Sequence, residues 1–229
     1  SDGYFEVDFG YNVANGEYEK YHDDGFTIRA TYSNNIRESD FFRWQVSFQY
    51  ISFYSNTYSD GFQMTSGASG PEITVTNSED GYIFQGGLKF IPDLGLFQKK
   101  GIFKPYATLG LGLGYFLEYT KYEDPDSYSF FQDDGSSPFR LDDIEDQEFN
   151  FMYSIEFGAN FLIPKWNNGG FDFGIRYNMS PKMKPITSYQ CGDACNDGDT
   201  VEKFSNKINA DYITIYFGGT WPINNSERK

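Results

Sequence analysis

The stretch 103-FKPYATLGLGLGYFL-117 decides how the chain is read. From Ala107 the apolar residues recur at every second position: Ala107, Leu109, Leu111, Leu113, Tyr115 and Leu117. Between them stand Thr108, Gly110, Gly112, Gly114 and Phe116. A period of two is the strand period, so one face is greasy and the other nearly bare. Glycines along one face weaken a strand and mark a place where something else needs the room. In a small closed barrel, that something is the long side chains of the opposite wall. An apolar face of this length that ends in aromatics is the pattern of a membrane-spanning β-strand. A nucleotide-binding reading of Gly-x-Gly-x-Gly fails, because that fingerprint needs a helix opening at the glycines and a third glycine three residues further on.

Composition agrees with this reading. The chain of 229 residues is 20 % aromatic, with 24 Phe and 19 Tyr. Its mean hydropathy is nonetheless −0.58, and no apolar run approaches the ~18 residues of a membrane helix. A β-barrel reconciles the two, because only alternate residues meet lipid while the connections stay polar. The net charge of −15 excludes nucleic acid as a partner. The chain opens at Ser1 without a charged-then-apolar leader, so the expectation is either that a signal peptide has been removed or that the protein is not exported.

The alternation repeats in eight segments: Tyr4–Val13, Gly25–Ser33, Phe41–Tyr54, Gly81–Ile91, the opening stretch, Phe149–Ile163, Phe171–Met179 and Asp211–Trp221. No amphipathic helix separates them. Four connections are long: Ala14–Asp24, Ser55–Asp80, Glu118–Glu148 and Ser180–Ala210. The other three, Asn34–Asp40, Pro92–Gly101 and Pro164–Gly170, are short. Long structureless loops are unusual in a compact soluble domain. Short turns on one rim and long loops on the other are the pattern of an outer-membrane barrel. The long connections also hold the charge: Glu118–Glu148 alone has eleven carboxylates against Lys121 and Arg140.

The chain therefore resembles the family of small eight-stranded outer-membrane barrels of the OmpA/OmpX type. The resemblance runs from Tyr4 to Trp221 and rests on pattern rather than on a signature motif. The fold expected is all-β: an eight-stranded antiparallel up-and-down transmembrane barrel with short periplasmic turns and long acidic extracellular loops. Residues 1–222 would form this single domain and 223–229 a short periplasmic tail, with both termini periplasmic. The resemblance implies a Gram-negative outer membrane and a side-chain-filled interior. It also implies a role in envelope integrity, adhesion or docking rather than catalysis, alone or within a larger complex.

Nine charged residues fall on the interior phase: Glu6, Asp8, Glu156 and Asp172 against Arg29, Arg43, Lys89, Lys104 and Arg176. Charges away from bulk water must be paired, so the expectation is a salt-bridge network that closes the lumen. Gly110, Gly112 and Gly114 would make room for it. His22, the only histidine, has Asp23 and Asp24 beside it and reads as a solvated residue of an acidic loop rather than a catalytic base. No catalytic constellation is expected. Cys191 and Cys195 suit a local disulfide better than a metal site, since no second Cys pair or nearby His completes one. Asp193, Asn196, Asp197, Asp199 and Glu202 offer hard oxygen ligands for a loop-bound calcium, although EF-hand spacing is absent. No other cofactor is expected.

The partners expected are outer-membrane lipid and lipopolysaccharide, and other envelope proteins through the acidic loops. Two alternatives remain open at this point. One is a narrow channel for small or apolar solutes. The other is a soluble lipocalin-like carrier, which inverts the faces to apolar inside and charged outside.

Overall fold

The computed structural model of the protein describes residues 3–20, 22–36, 39, 41–64, 69–92, 103–123, 144–167, 169–180, 184–191 and 201–223. They form ten strands: β1 Gly3–Asn15, β2 Gly25–Asn35, β3 Phe42–Met64, β4 Ser69–Phe90, β5 Phe103–Glu123, β6 Ile144–Ile163, β7 Gly169–Met179, β8 Lys184–Cys191, β9 Val201–Ile208 and β10 Asp211–Ile223. Eight of them close into an up-and-down barrel in the order β1-β2-β3-β4-β5-β6-β7-β10. Every neighbouring pair in that ring is antiparallel. The seam is β1 against β10, in register from Gly3↔Ile223 to Asn15↔Asp211. Closure leaves no barrel edge with unpaired backbone groups.

Strand lengths differ from the sequence expectation. β3 and β4 continue through much of the connection read as Ser55–Asp80, with Asp60 still paired to Ile73. β5 and β6 likewise run on into the connection read as Glu118–Glu148, as far as Thr120↔Ile144. The connection read as Ser180–Ala210 contains β8 and β9, an antiparallel hairpin that joins β3 in parallel at Gln63↔Gln190 and Met64↔Cys191. The physical reason is that an apolar period marks a strand only where one face meets an apolar medium. Beyond that zone the ladder continues on backbone pairing and on strand-favouring Thr, Tyr and Val, such as Thr57, Tyr58, Thr74 and Val75.

Within the barrel the faces are sorted. Phe9, Phe84, Leu109, Phe157 and Phe217 point outward, each 58–64 % exposed. Glu6, Asp8, Arg29, Lys89, Glu156, Asp172 and Arg176 point inward and are fully buried. These faces are opposite to those of a lipocalin-like carrier, so that reading falls. The core of the molecule is therefore the lumen, and it is layered. A polar layer occupies its middle and short-turn half. An apolar cluster of Ala14, Tyr18, Ile51, Phe53, Ile83, Phe116, Met152, Ala210 and Tyr212 fills the long-connection end.

Candidate functional site

The lumen is where the chemistry-bearing side chains converge. Asp8 and Arg29 are directly opposed across β1 and β2, and Glu156 and Arg176 across β6 and β7. Opposed residues on one sheet face sit about 4.5–5.5 Å apart, within reach of a guanidinium. Arg29 donates from Nε to Asp8 Oδ2 at 2.8 Å, and its Nη2 lies 2.6 Å from the same oxygen. Its Nη1 crosses the lumen to Glu156 Oε2 at 2.6 Å. Arg176 Nε reaches that same Oε2 at 2.7 Å, and its Nη1 donates to Gln49 Oε1 at 2.7 Å. Glu156 thus ties β2, β6 and β7 together, and through Gln49 the network includes β3. Arginine's planar fork allows each guanidinium to hold two acceptors at once.

A second polar layer lies nearer the short turns. Lys89 Nζ donates to Glu6 Oε1 at 2.7 Å and sits 3.8 Å above the Tyr106 ring. Tyr106 donates its hydroxyl to the Asp172 carboxylate, at 2.7 and 2.9 Å. Its oxygen lies 2.7 Å from the Tyr216 hydroxyl. The Tyr216 ring in turn faces Arg29 and Arg176, each 5.1 Å from its centroid. The two layers are therefore coupled through one phenol. Arg43 donates to Asn35 Oδ1 at 2.9 Å and lies over the Tyr4 ring, at the short-turn end. Lys104 is half-buried, opposite Asn160 on β6.

The glycines serve a different purpose from the one expected. A Cβ at Gly110 would meet Ser154 and Gln85, at Gly112 Gln85, and at Gly114 Phe116 and Met152. The room they leave is used by those neighbours rather than by the arginine cluster. Space beside the Tyr106–Tyr216 layer comes from Gly158 and Gly174 instead, where a Cβ would collide with the Tyr216 hydroxyl.

His22 corrects the reading of a solvated loop histidine: it is 2 % exposed. The β1–β2 connection folds inward through a 3-10 turn, Tyr18–Lys20, and His22 N–H bonds back to the Tyr18 carbonyl at 3.1 Å. Tyr18 then drops onto the barrel mouth, edge-on to His22 at 4.3 Å and to Phe53 at 5.1 Å between ring centroids. Phe53 meets Tyr212 at 5.3 Å. His22 Nε2 lies 3.3 Å from Glu79 Oε2 and 3.8 Å from Glu118 Oε1. Sequence reasoning missed this cap, yet a signal was present: Ile51, Phe53, Ile83, Phe116 and Met152 are apolar residues on the interior phase of four segment ends.

The remaining expectations fall elsewhere. Cys195, Asp193, Asn196, Asp197 and Asp199 lie outside the described residues, as do the side chains of Cys191 and Glu202. Among the described residues there is neither a disulfide nor a group of three metal-ligating side chains.

No family model matches the chain, and no curated protein matches it. Solved structures do. Neisserial surface protein A is 14 % identical, with a TM-score of 0.50 over 96 % of this chain and 97 % of that one. A major outer membrane protein from Thermus thermophilus is 10 % identical, with a TM-score of 0.53 over 96 % of this chain and 99 % of that one. The shared feature is the fold: the chain is built as the small eight-stranded outer-membrane barrels are.

Proposed function

We propose that the protein is a non-enzymatic integral barrel of a bacterial outer membrane. It serves as an anchoring, adhesion or docking subunit and presents its long acidic connections to the outside. What supports the membrane placement is the outward belt of Phe, Leu and Ile around the barrel, the surface that lipid would cover. What supports an anchoring rather than a conducting role is one observation. Arg29 and Glu156 join opposite parts of the wall through the middle of the lumen, at 2.6 Å. An eight-strand interior is only wide enough for side chains to fill, and here an apolar cluster stands over the salt-bridged layer. The titratable groups of the lumen are engaged with one another rather than aimed into an open cleft, which is why a structural role is preferred over catalysis. On this reading the acidic rim meets lipopolysaccharide through bridging cations, or meets other envelope proteins.

The test is planar-bilayer recording of the full-length protein, with mild-detergent purification from its native membrane. The reading expects no steady conductance, dependence on detergent for solubility, and other envelope components in the purified material. Steady single-channel conductance would overturn the anchor in favour of a narrow channel.

A further inference from the structure

We infer that the β1–β2 connection is a proton-dependent latch over the long-connection mouth of the barrel, held shut by the His22 imidazolium. The argument begins with a conflict built into the sheet. Glu79 of β4 and Glu118 of β5 are directly opposed cross-strand partners. They are only 1 % and 7 % exposed. Like charges placed opposite one another destabilise a sheet, and buried carboxylates need a compensating charge. Glu148 of β6, opposed to Phe116, adds a third carboxyl to the same end of the lumen.

His22 meets both opposed carboxylates, at 3.3 Å from Glu79 and 3.8 Å from Glu118. Of its aromatic and chain neighbours, Tyr18, Phe53 and Tyr212 are neutral, Asp23 and Asp24 are acidic, and Lys20 is basic. Tyr18 stands on its own turn, and burial, followed by the charge of Glu79, holds that phenol protonated well above its usual range. Phe53 from β3 stacks at 6.2 Å. Tyr212 from β10 lies behind Phe53. Asp23 and Asp24 adjoin it in the chain, and Asp24 is engaged by the Tyr11 hydroxyl. The ion pair that docks the connection therefore exists only while the imidazole carries its proton. It is present below the imidazole titration and lost above it. Once the ring is neutral, Glu79 and Glu118 face each other with no counter-charge from His22. Release lifts Tyr18 from Phe53 but leaves the Arg29–Glu156 layer beneath it closed. The latch thus controls the outer surface of the barrel, not conduction through it.

His22 is the only histidine, so one imidazole signal in the magnetic resonance spectrum of the whole protein in detergent reports it alone. The experiment records that signal, together with amide hydrogen exchange corrected for its intrinsic pH dependence, between about pH 5 and pH 9. The expected result is that protection in residues 16–24 falls about tenfold over the interval in which His22 titrates, while β1 is unchanged. His22→Lys should keep the connection protected at the alkaline end, and His22→Gln should leave it unprotected throughout. Mobility of unheated against heated samples on a gel checks that each variant retains the barrel. Protection that stays constant while His22 titrates would overturn the latch, and this wild-type measurement decides the question should any variant fail to fold.

Discussion

Glu156 Oε2 accepts from Arg29 at 2.6 Å and from Arg176 at 2.7 Å, although Arg29 lies 127 residues away in sequence. One carboxylate therefore stands between two buried guanidiniums, with Asp8 as the other carboxylate bound to Arg29. Removing its charge leaves two cations to share one anion where water does not reach. Breaking a buried pair from one side costs ~3–5 kcal/mol. Glu156→Gln should lower the urea stability of the refolded barrel by about that amount. A change below about 1 kcal/mol would mean that water enters the lumen and screens the pair.

The outer face makes the opposite demand. Phe48 and Phe157 are 52 % and 64 % exposed, near the middle of the alternating apolar stretches of β3 and β6. A cation placed there must leave water on insertion, which costs ~2–4 kcal/mol at the depth of the bilayer midplane. Phe48→Arg and Phe157→Arg should each reduce folding stability in lipid vesicles by that much. Glu17→Arg, at an exposed position of the β1–β2 connection, should change it little. Equal stabilities for all three variants would dispose of the lipid-facing assignment.

These two faces were legible in the sequence because their physics is local. An apolar medium outside and a polar lumen inside force a period of two, and all eight barrel strands carry it. The inward positions of Asp8, Arg29, Glu156 and Arg176 follow from that period. Which carboxylate each arginine meets does not, because Arg29 to Glu156 depends on barrel closure. The strand extensions were hidden for the converse reason: past the apolar zone of β3 and β4 no medium imposes a face. His22 was misread because its own neighbours, Asp23 and Asp24, describe a wet loop, while its burial is set by Phe53, Glu79 and Glu118 on distant strands.

Gly158 and Gly174 offer a packing test of the lower layer. They are paired with each other across β6 and β7. A Cβ on either would run into the Tyr216 hydroxyl, and at Gly174 also into the Phe157 carbonyl. Tyr216 cannot retreat freely, since its hydroxyl meets Tyr106 and its ring faces two arginines. Overfilling a packed interior costs ~1–3 kcal/mol. Gly174→Ala should lie toward the upper end of that range, because a backbone carbonyl is one of the atoms in the way. At Gly86 nothing lies within 4 Å of an added Cβ. Gly86→Ala is the control and should leave urea stability unchanged within about 0.5 kcal/mol.

The last prediction concerns orientation in the bilayer. Trp44 stands near the start of β3, Trp221 near the end of β10, and Trp166 in the turn Pro164–Trp166 between β6 and β7. All three tryptophans therefore lie at the short-turn rim, and they are 39 %, 50 % and 57 % exposed. Tyrosines occupy the other rim, with Tyr11, Tyr54 and Tyr119 at 48 %, 54 % and 42 %. Amphipathic rings settle at the headgroup level. The tryptophan fluorescence of the folded protein should therefore come from one interface only. In vesicles, lipids brominated near the headgroup should quench it more strongly than lipids brominated near the chain ends. A water-soluble quencher added outside should reach the tryptophans only when the short-turn rim faces outward. Quenching strongest at the bilayer centre would put the tryptophans off the rim and undo this placement of the barrel in the membrane.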